Sequence, residues 1–179
     1  MSQKTSEARD LFIIGTGFWK TSKILSNHLG KTHDFDVVSP IFVNMAFAGE
    51  VYLKCLHLIR TGKLLKGHDL KSLFDGLLKT DQVSIEDAYN RNVKNSPIVN
   101  AMKAQFPEID LKLSTVVAEG AKTCVQLRYA YEGTANAPKT LGDFVDAVQQ
   151  HLLCVDPTLG TALHVPLTKK SNGCGNPPR

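Results

Sequence analysis

Nothing in these 179 residues spaces cysteine and histidine as a metal site requires. The four cysteines, Cys55, Cys124, Cys154 and Cys174, lie far apart without a CxxC pair, and the six histidines form no HExxH or zinc-finger spacing. No metal ligand set and no cofactor is therefore expected. GxxxxGK[ST], GxGxxG after a strand and GxSxG are missing too, which takes away the usual anchors of an NTPase, a dinucleotide enzyme or a serine hydrolase. The GTGFWK stretch places its glycines inside a helical pattern and does not follow a strand. Alternating strand patterns bounded by hairpin turns are lacking, as is any repeat period.

The N-terminus MSQKTSEARD is polar and mixed in charge, without the apolar centre of a secretory leader, and no apolar run is expected to reach membrane-spanning length. Cys55 and Cys124 fall inside apolar helical patterns, where a free thiol acts as a small core residue and suits a reducing compartment. The expectation is a soluble, cytoplasmic protein with no membrane partner. A formal net charge of +4 and 42% hydrophobic residues fit one domain with a substantial core, and the modest surplus permits nucleic-acid contact without requiring it.

What the chain does contain is helical periodicity. Leu11, Ile14, Phe18, Leu25 and Leu29 predict a helix over about 6 to 29, weakened by Gly15 and Gly17 and stopped by Gly30. Ser39 and Pro40 predict a cap and first residue for a helix to Thr61, where Ile41, Met45, Ala48, Tyr52, Cys55 and Ile59 alternate four and three apart before Gly62. Its apolar arc covers more than half the circumference, so partner helices must surround it. Fixing some twenty residues costs about 1–2 kcal/mol each, which only burial of its large side chains at about 1.5–3 kcal/mol apiece offsets.

Shorter helices are expected over DLKSLFDGLL, from a Ser84/Asp87 capping box toward Arg91, and from Ser96–Pro97 to before Pro107. A second long helix is expected from about 110 to 132, stopped by Gly133, as the natural partner of the Pro40 helix. A last one, capped by Thr140 and Asp143, ends near Asp156. The fold class is thus all-α, an up-and-down bundle of four to five main helices with short additional ones, formed by residues 1–156. Residues 157–179, rich in Gly, Pro and polar side chains, read as a disordered tail.

Polar residues on this frame divide into three sets. Glu50, Lys54, His57 and Thr61 share one narrow strip, either a solvated face with an i,i+4 Glu–Lys pair or the lining of a polar groove or dimer seam. Arg128 falls in the apolar sector of its helix and requires a partner, with Glu132, Asp69 or Glu50 within reach; the alternative is a phosphate-binding or catalytic arginine. Asp69 is placed to cap the helix that follows, and His68 beside it is the one candidate proton-transfer group, while His28, His33, His57, His151 and His164 receive no chemistry.

The stretch 43–78, with Glu50, Leu53, Lys54, Gly67, His68, Asp69, Leu70, Leu73 and Phe74, resembles the second helix and following loop of the HEPN superfamily. The helix ending QLRYAYEG, with Arg128, Tyr129, Tyr131 and Glu132, is similar to a subset of the same domains. The resemblance implies a bundle of four or five helices, frequently a homodimer, in prokaryotic defence, toxin–antitoxin or RNA-processing settings. Its catalytic members cleave RNA without metal, using an arginine followed four to six residues later by a histidine. Here seven residues separate Arg60 from His68, Arg128 has no histidine near it, and the stretch after Arg91 has Ser96 where histidine would stand.

Two expectations follow. One is a non-catalytic module that binds a partner protein, RNA or nucleotide, its polar cluster being Glu50, Lys54, His57, Asp69 and Glu132. The other is a divergent metal-independent ribonuclease assembling Arg128, His68 or Arg91 across helices or a dimer interface.

Overall fold

A computed structural model describes the backbone of residues 3–128 and 140–162, with side chains over 6–120 and 140–161. Among the described residues there are eight α-helices and no strand, an all-α bundle of five longer and three short helices. The longer ones are α1 (Gln3–Thr32), α2 (Val38–Thr61), α4 (Lys79–Asn95), α6 (Leu113–Arg128) and α7 (Leu141–Val155). The short ones are α3 (Leu70–Asp75), α5 (Pro97–Gln105) and α8 (Thr158–Ala162), and a single 3-10 turn, Phe35–Val37, leads into α2.

The centre of the bundle is α2. Ile41, Ala46, Ala48, Tyr52, Leu53, Cys55, Leu56 and Leu58 are all buried, and α1, α3, α6 and α7 each pack against it. The stretch Phe35–Thr61 is, by length and a mean hydropathy of 1.2, apolar enough to cross a membrane, contrary to the expectation that no run reaches that length. Over half of that apolar stretch is buried by neighbouring helices, so protein packing accounts for its composition.

Helices α1 and α2 form an antiparallel hairpin and share the longest contact of the fold. The Cys55 thiol donates to the Ala8 carbonyl at 3.2 Å, the Phe12 and Tyr52 ring centroids lie 5.6 Å apart, and Phe18 stacks on Phe47 at 5.4 Å. The main partner of α2 is therefore α1; α6 also touches α2, as expected, over a shorter length. Gly15 does not interrupt α1. A Cβ there would sit 2.8 Å from the Tyr52 ring, so the missing side chain is what lets α2 approach.

Several predicted boundaries move for local reasons. Helix α1 runs through Gly30 to Thr32, where His33 takes the left-handed conformation (φ 56°) and its N–H donates to the Leu29 carbonyl. Helix α2 begins at Val38, with the 3-10 turn before it instead of a Ser39 cap. Pro40 is tolerated inside the first turn because the first four N–H groups of a helix have no intrahelical acceptor. Gly62 closes α2 as expected, at φ 69° with its N–H on the Leu58 carbonyl.

The Ser84/Asp87 box does not start a helix. Ser84 lies within α4 and its hydroxyl donates to the Thr80 carbonyl, while Gln82 folds back onto the carbonyls of Asp75 and Leu77. Ser96 does cap α5, accepting from the Val99 N–H. Helix α6 starts at Leu113, three residues later than expected, because Asp110 instead accepts from the Lys112 N–H and the Thr115 hydroxyl. Thr140 makes no cap bond to α7: its hydroxyl is 2.7 Å from that of Tyr89, which donates to the Leu111 carbonyl.

The folded body also extends past residue 156. Leu159 of α8 is buried against the bundle, so a helix over Thr158–Ala162 occupies the start of the stretch expected as a tail. The predicted stop at Gly133 and residues 163–179 lie outside the described residues.

Candidate functional site

Three polar assemblies tie the helices together. The first joins Glu50 of α2 to the loop before α3. Glu50 Oε1 accepts from Lys54 Nζ at 2.7 Å and faces His68 Nδ1 at 2.9 Å. Glu50 is only 6% exposed, whereas the His68 side chain is 83% exposed. Glu50 is thus not on an open solvated face. The Lys54 head and the His68 imidazole cover it, and a buried carboxylate needs such partners.

Beside it, Asp69 accepts from the Ser72 N–H at 2.6 Å and caps α3 as the sequence predicts. Those bonds to Ser72 hold its carboxyl below the usual value. His57 is turned away: its Nδ1 donates to the Lys63 carbonyl at 2.7 Å and lies 3.2 Å from the Thr61 hydroxyl, closing the turn after α2. Of the predicted cluster, Glu50 and Lys54 form one unit, which the candidate proton-transfer residue His68 joins, while Asp69 and His57 serve the backbone around it. Arg91 is exposed on α4 and takes part in none of the described hydrogen bonds or ion pairs. The Arg128 backbone ends α6 and Glu132 follows it, but the Arg128 side chain and all of Glu132 lie outside the described residues.

The second assembly escaped the sequence reading. Asp81, in the first turn of α4 and 1% exposed, receives Arg60 from the end of α2 and His151 from α7. Arg60 Nη2 donates to Asp81 Oδ1 at 2.7 Å, Arg60 Nε lies 3.1 and 3.2 Å from the two carboxylate oxygens, and His151 Nε2 is 2.8 Å from Oδ1. Burial by itself would push this carboxyl up. The bonds and charge supplied by Arg60 and His151 more than offset that, leaving Asp81 below the ordinary carboxylate value. A signal was present in the chain: His151 shares the face of α7 that carries Phe144 and Val148, and an imidazole on a buried face needs a polar partner.

The third assembly runs across α1, α2 and α7. Tyr52 Oη is 3.0 Å from the Thr16 hydroxyl and accepts from Gln149 Nε2 at 2.6 Å, and Trp19 Nε1 donates to Asp146 Oδ1 at 2.8 Å. Burial raises both the Tyr52 hydroxyl and the Asp146 carboxyl, the latter because one indole N–H and a nearby Lys23 do not replace its lost hydration. Burial likewise pushes the Cys55 thiol up to about 12, so it is an unreactive core residue.

Chemically, metal-independent RNA cleavage needs proton-transfer groups and a cation converging on one phosphate. Along α2, Glu50 and Arg60 are ten residues apart, about 15 Å of helix rise, and the described bonds take Arg60 to Asp81 and His68 to Glu50. A cavity between α3, α4 and α6, bordered by Lys71, Glu86 and Ser114, has a volume of about 90 Å³ and contains none of these groups. Small-molecule sites typically occupy about 300–1,000 Å³, so this one is too small for a nucleotide. No family model matches the chain, and neither the curated proteins nor the solved structures provide a match.

Proposed function

We propose that this chain is a non-catalytic, HEPN-like helical module of the cytoplasm that works by binding a partner protein, in a defence or toxin–antitoxin setting of the kind its sequence resemblance implies. One observation carries the reading: three of the described guanidinium and imidazole groups, though not the exposed Arg91, are committed to carboxylates of the bundle. Arg60 and His151 both hold Asp81, and His68 lies on Glu50. Groups used as fasteners between helices are not free to follow a phosphate through a reaction, and withdrawing Arg60 would leave a buried carboxylate short of a partner. A protein partner is favoured by large apolar side chains left open on α1.

The competing reading is a metal-independent ribonuclease using His68, Arg128 and Arg91. In its favour, the His68 ring is open to solvent while its Nδ1 lies against a carboxylate, an arrangement that orients an imidazole for proton transfer. The two readings part in one assay. Purified protein with mixed RNA in excess chelator is expected to give no cleavage above that of His68→Ala and Arg128→Ala variants. Reproducible cutting that vanishes in both variants would reverse the assignment.

A further inference from the structure

Helix α1 carries a stripe of exposed positions, of which His28, with Nε2 3.4 Å from Asp34 Oδ2, is the one with a described contact to a side chain outside the helix. Glu7, Asp10, Ile14, Gly17, Thr21, Ile24, His28 and Lys31 are all exposed, and they follow one another at intervals of three and four residues along the whole helix. The spacing is that of any solvent-facing helix side; what sets this one apart is which residues occupy it. Ile14 and Ile24 are 50% and 67% exposed. Between them lie two small residues. Gly17 has nothing within 4 Å of where a Cβ would stand, and the Thr21 hydroxyl donates to the Gly17 carbonyl at 2.9 Å, so neither side chain presents an unmet polar group to a neighbour.

The order of residues along the stripe is what identifies its occupant. If a second copy of α1 lies antiparallel across it, with a twofold axis between Gly17 and Thr21, each seam position meets a fixed counterpart. Gly17 meets Thr21, Ile14 meets Ile24, Asp10 meets His28 and Glu7 meets Lys31, and each pair occurs twice. The register keeps apolar against apolar and small against small, and it sets acid against base at both ends. Just off the seam, the same register places Ile13 against Leu25. A twofold contact requires this kind of self-complementarity, in which the first residue of a pair meets the second and the second meets the first. A parallel pairing of the same helices would put Glu7 on Glu7 and Lys31 on Lys31.

We infer that the exposed face of α1 is a self-association surface, on which two copies of this chain pair through antiparallel α1 helices centred between Gly17 and Thr21. The inference deepens the binding-module reading by naming a second copy of the chain as a partner, yet it stands on α1 alone. From Glu7 to Lys31 the seam is about 36 Å long, and at a helix width of about 10 Å it covers less area than the roughly 800 Å² per partner of a stable complex. Phe18, half-buried against Phe47 of α2, borders the seam and widens it. The dimer is accordingly reversible and depends on protein concentration.

Sedimentation velocity of the full chain over a concentration series is expected to show a monomer–dimer equilibrium. Glu7→Lys with Asp10→Lys should weaken it at least tenfold, and adding His28→Glu with Lys31→Glu in the same chain should restore it, with helical circular dichroism unchanged throughout. Register is read separately. A Gly17→Cys chain mixed with a Thr21→Cys chain under mild oxidation should cross-link through the two introduced thiols, mapped by mass spectrometry, in preference to Gly17→Cys chains linking to each other. A monomer at every concentration, a dimer indifferent to the charge exchange, or cross-links mainly between identical positions would each overturn the proposal. The chelator assay for RNA cleavage is unaffected by any of these results, so this inference and the functional reading fail independently.

Discussion

The two ends of α7 bury a carboxylate interaction each, and the protein treats them in opposite ways. At the C-terminal end, His151 joins Arg60 around Asp81, a carboxylate that is fully enclosed and yet held below its ordinary pKa. Nearer the N-terminal end, Asp146 has the Trp19 indole N–H on one oxygen, and burial raises its pKa. Burial does not set the sign. What differs is the donors: a guanidinium and an imidazole on Asp81, against a single indole N–H on Asp146 with Lys23 acting only through its charge.

The contrast breaks most visibly at Arg60. Arg60→Ala leaves Asp81 enclosed with only His151, and stability should fall toward the lower end of about 3–5 kcal/mol, because Arg60 itself is about a third open to solvent. Urea unfolding reads this as a lower midpoint with an unchanged slope. A loss under 1 kcal/mol would mean that the pair is not sealed between α2, α4 and α7.

Gly15→Ala strikes the other region. The added methyl would stand 2.8 Å from the Tyr52 ring and push it away from Thr16 and Gln149, so a loss of about 1–3 kcal/mol is expected despite alanine's better helix propensity. Thermal unfolding of the variant checks it; a gain in Tm would show that α1 and α2 are not in close contact there.

The smallest effect distinguishes the two carboxylates themselves. Asp146→Asn can keep the acceptor for Trp19 and removes a poorly compensated charge, so at neutral pH it should change stability by less than about 1 kcal/mol, on the stabilising side. The signs follow from linkage. Asp81, with a folded pKa below the unfolded value of about 3.9, contributes stability that is complete above that pH and is lost as the pH falls through the folded value. Asp146, with a folded pKa above about 3.9, has its full cost present at neutral pH, and stability recovers as the pH falls through that raised value. Unfolding measured from pH 7 to pH 3 should therefore lose part of its acid limb in Asp81→Asn, whereas in Asp146→Asn the difference from the parent should shrink on acidification.

Helices were legible where local chemistry decides them. Gly62 stops α2 because only a left-handed residue closes that turn cheaply, Ser96 with Pro97 starts α5, and Asp69 caps α3. They were illegible where a side chain found a better partner elsewhere. Thr140 has the form of a cap, yet its hydroxyl goes to Tyr89 from another helix, and Ser84 matches a capping box while sitting inside α4. Of the site, Glu50, Lys54, His68 and Asp69 were named from sequence, but Asp81 stands in an unremarkable polar stretch, and nothing local announces that residues 60 and 151 converge on it.

By itself the sequence determined the fold class and the centre of the bundle, because an apolar arc wider than half of α2 admits no arrangement but one with helices around it. The tertiary structure decided which helix lies closest to α2 and which charges are paired, His68 with Glu50 and Arg60 and His151 with Asp81. Those outcomes depend on side chains from segments distant in the chain meeting in one enclosed place, where an unpaired charge is costly and water cannot substitute for a partner.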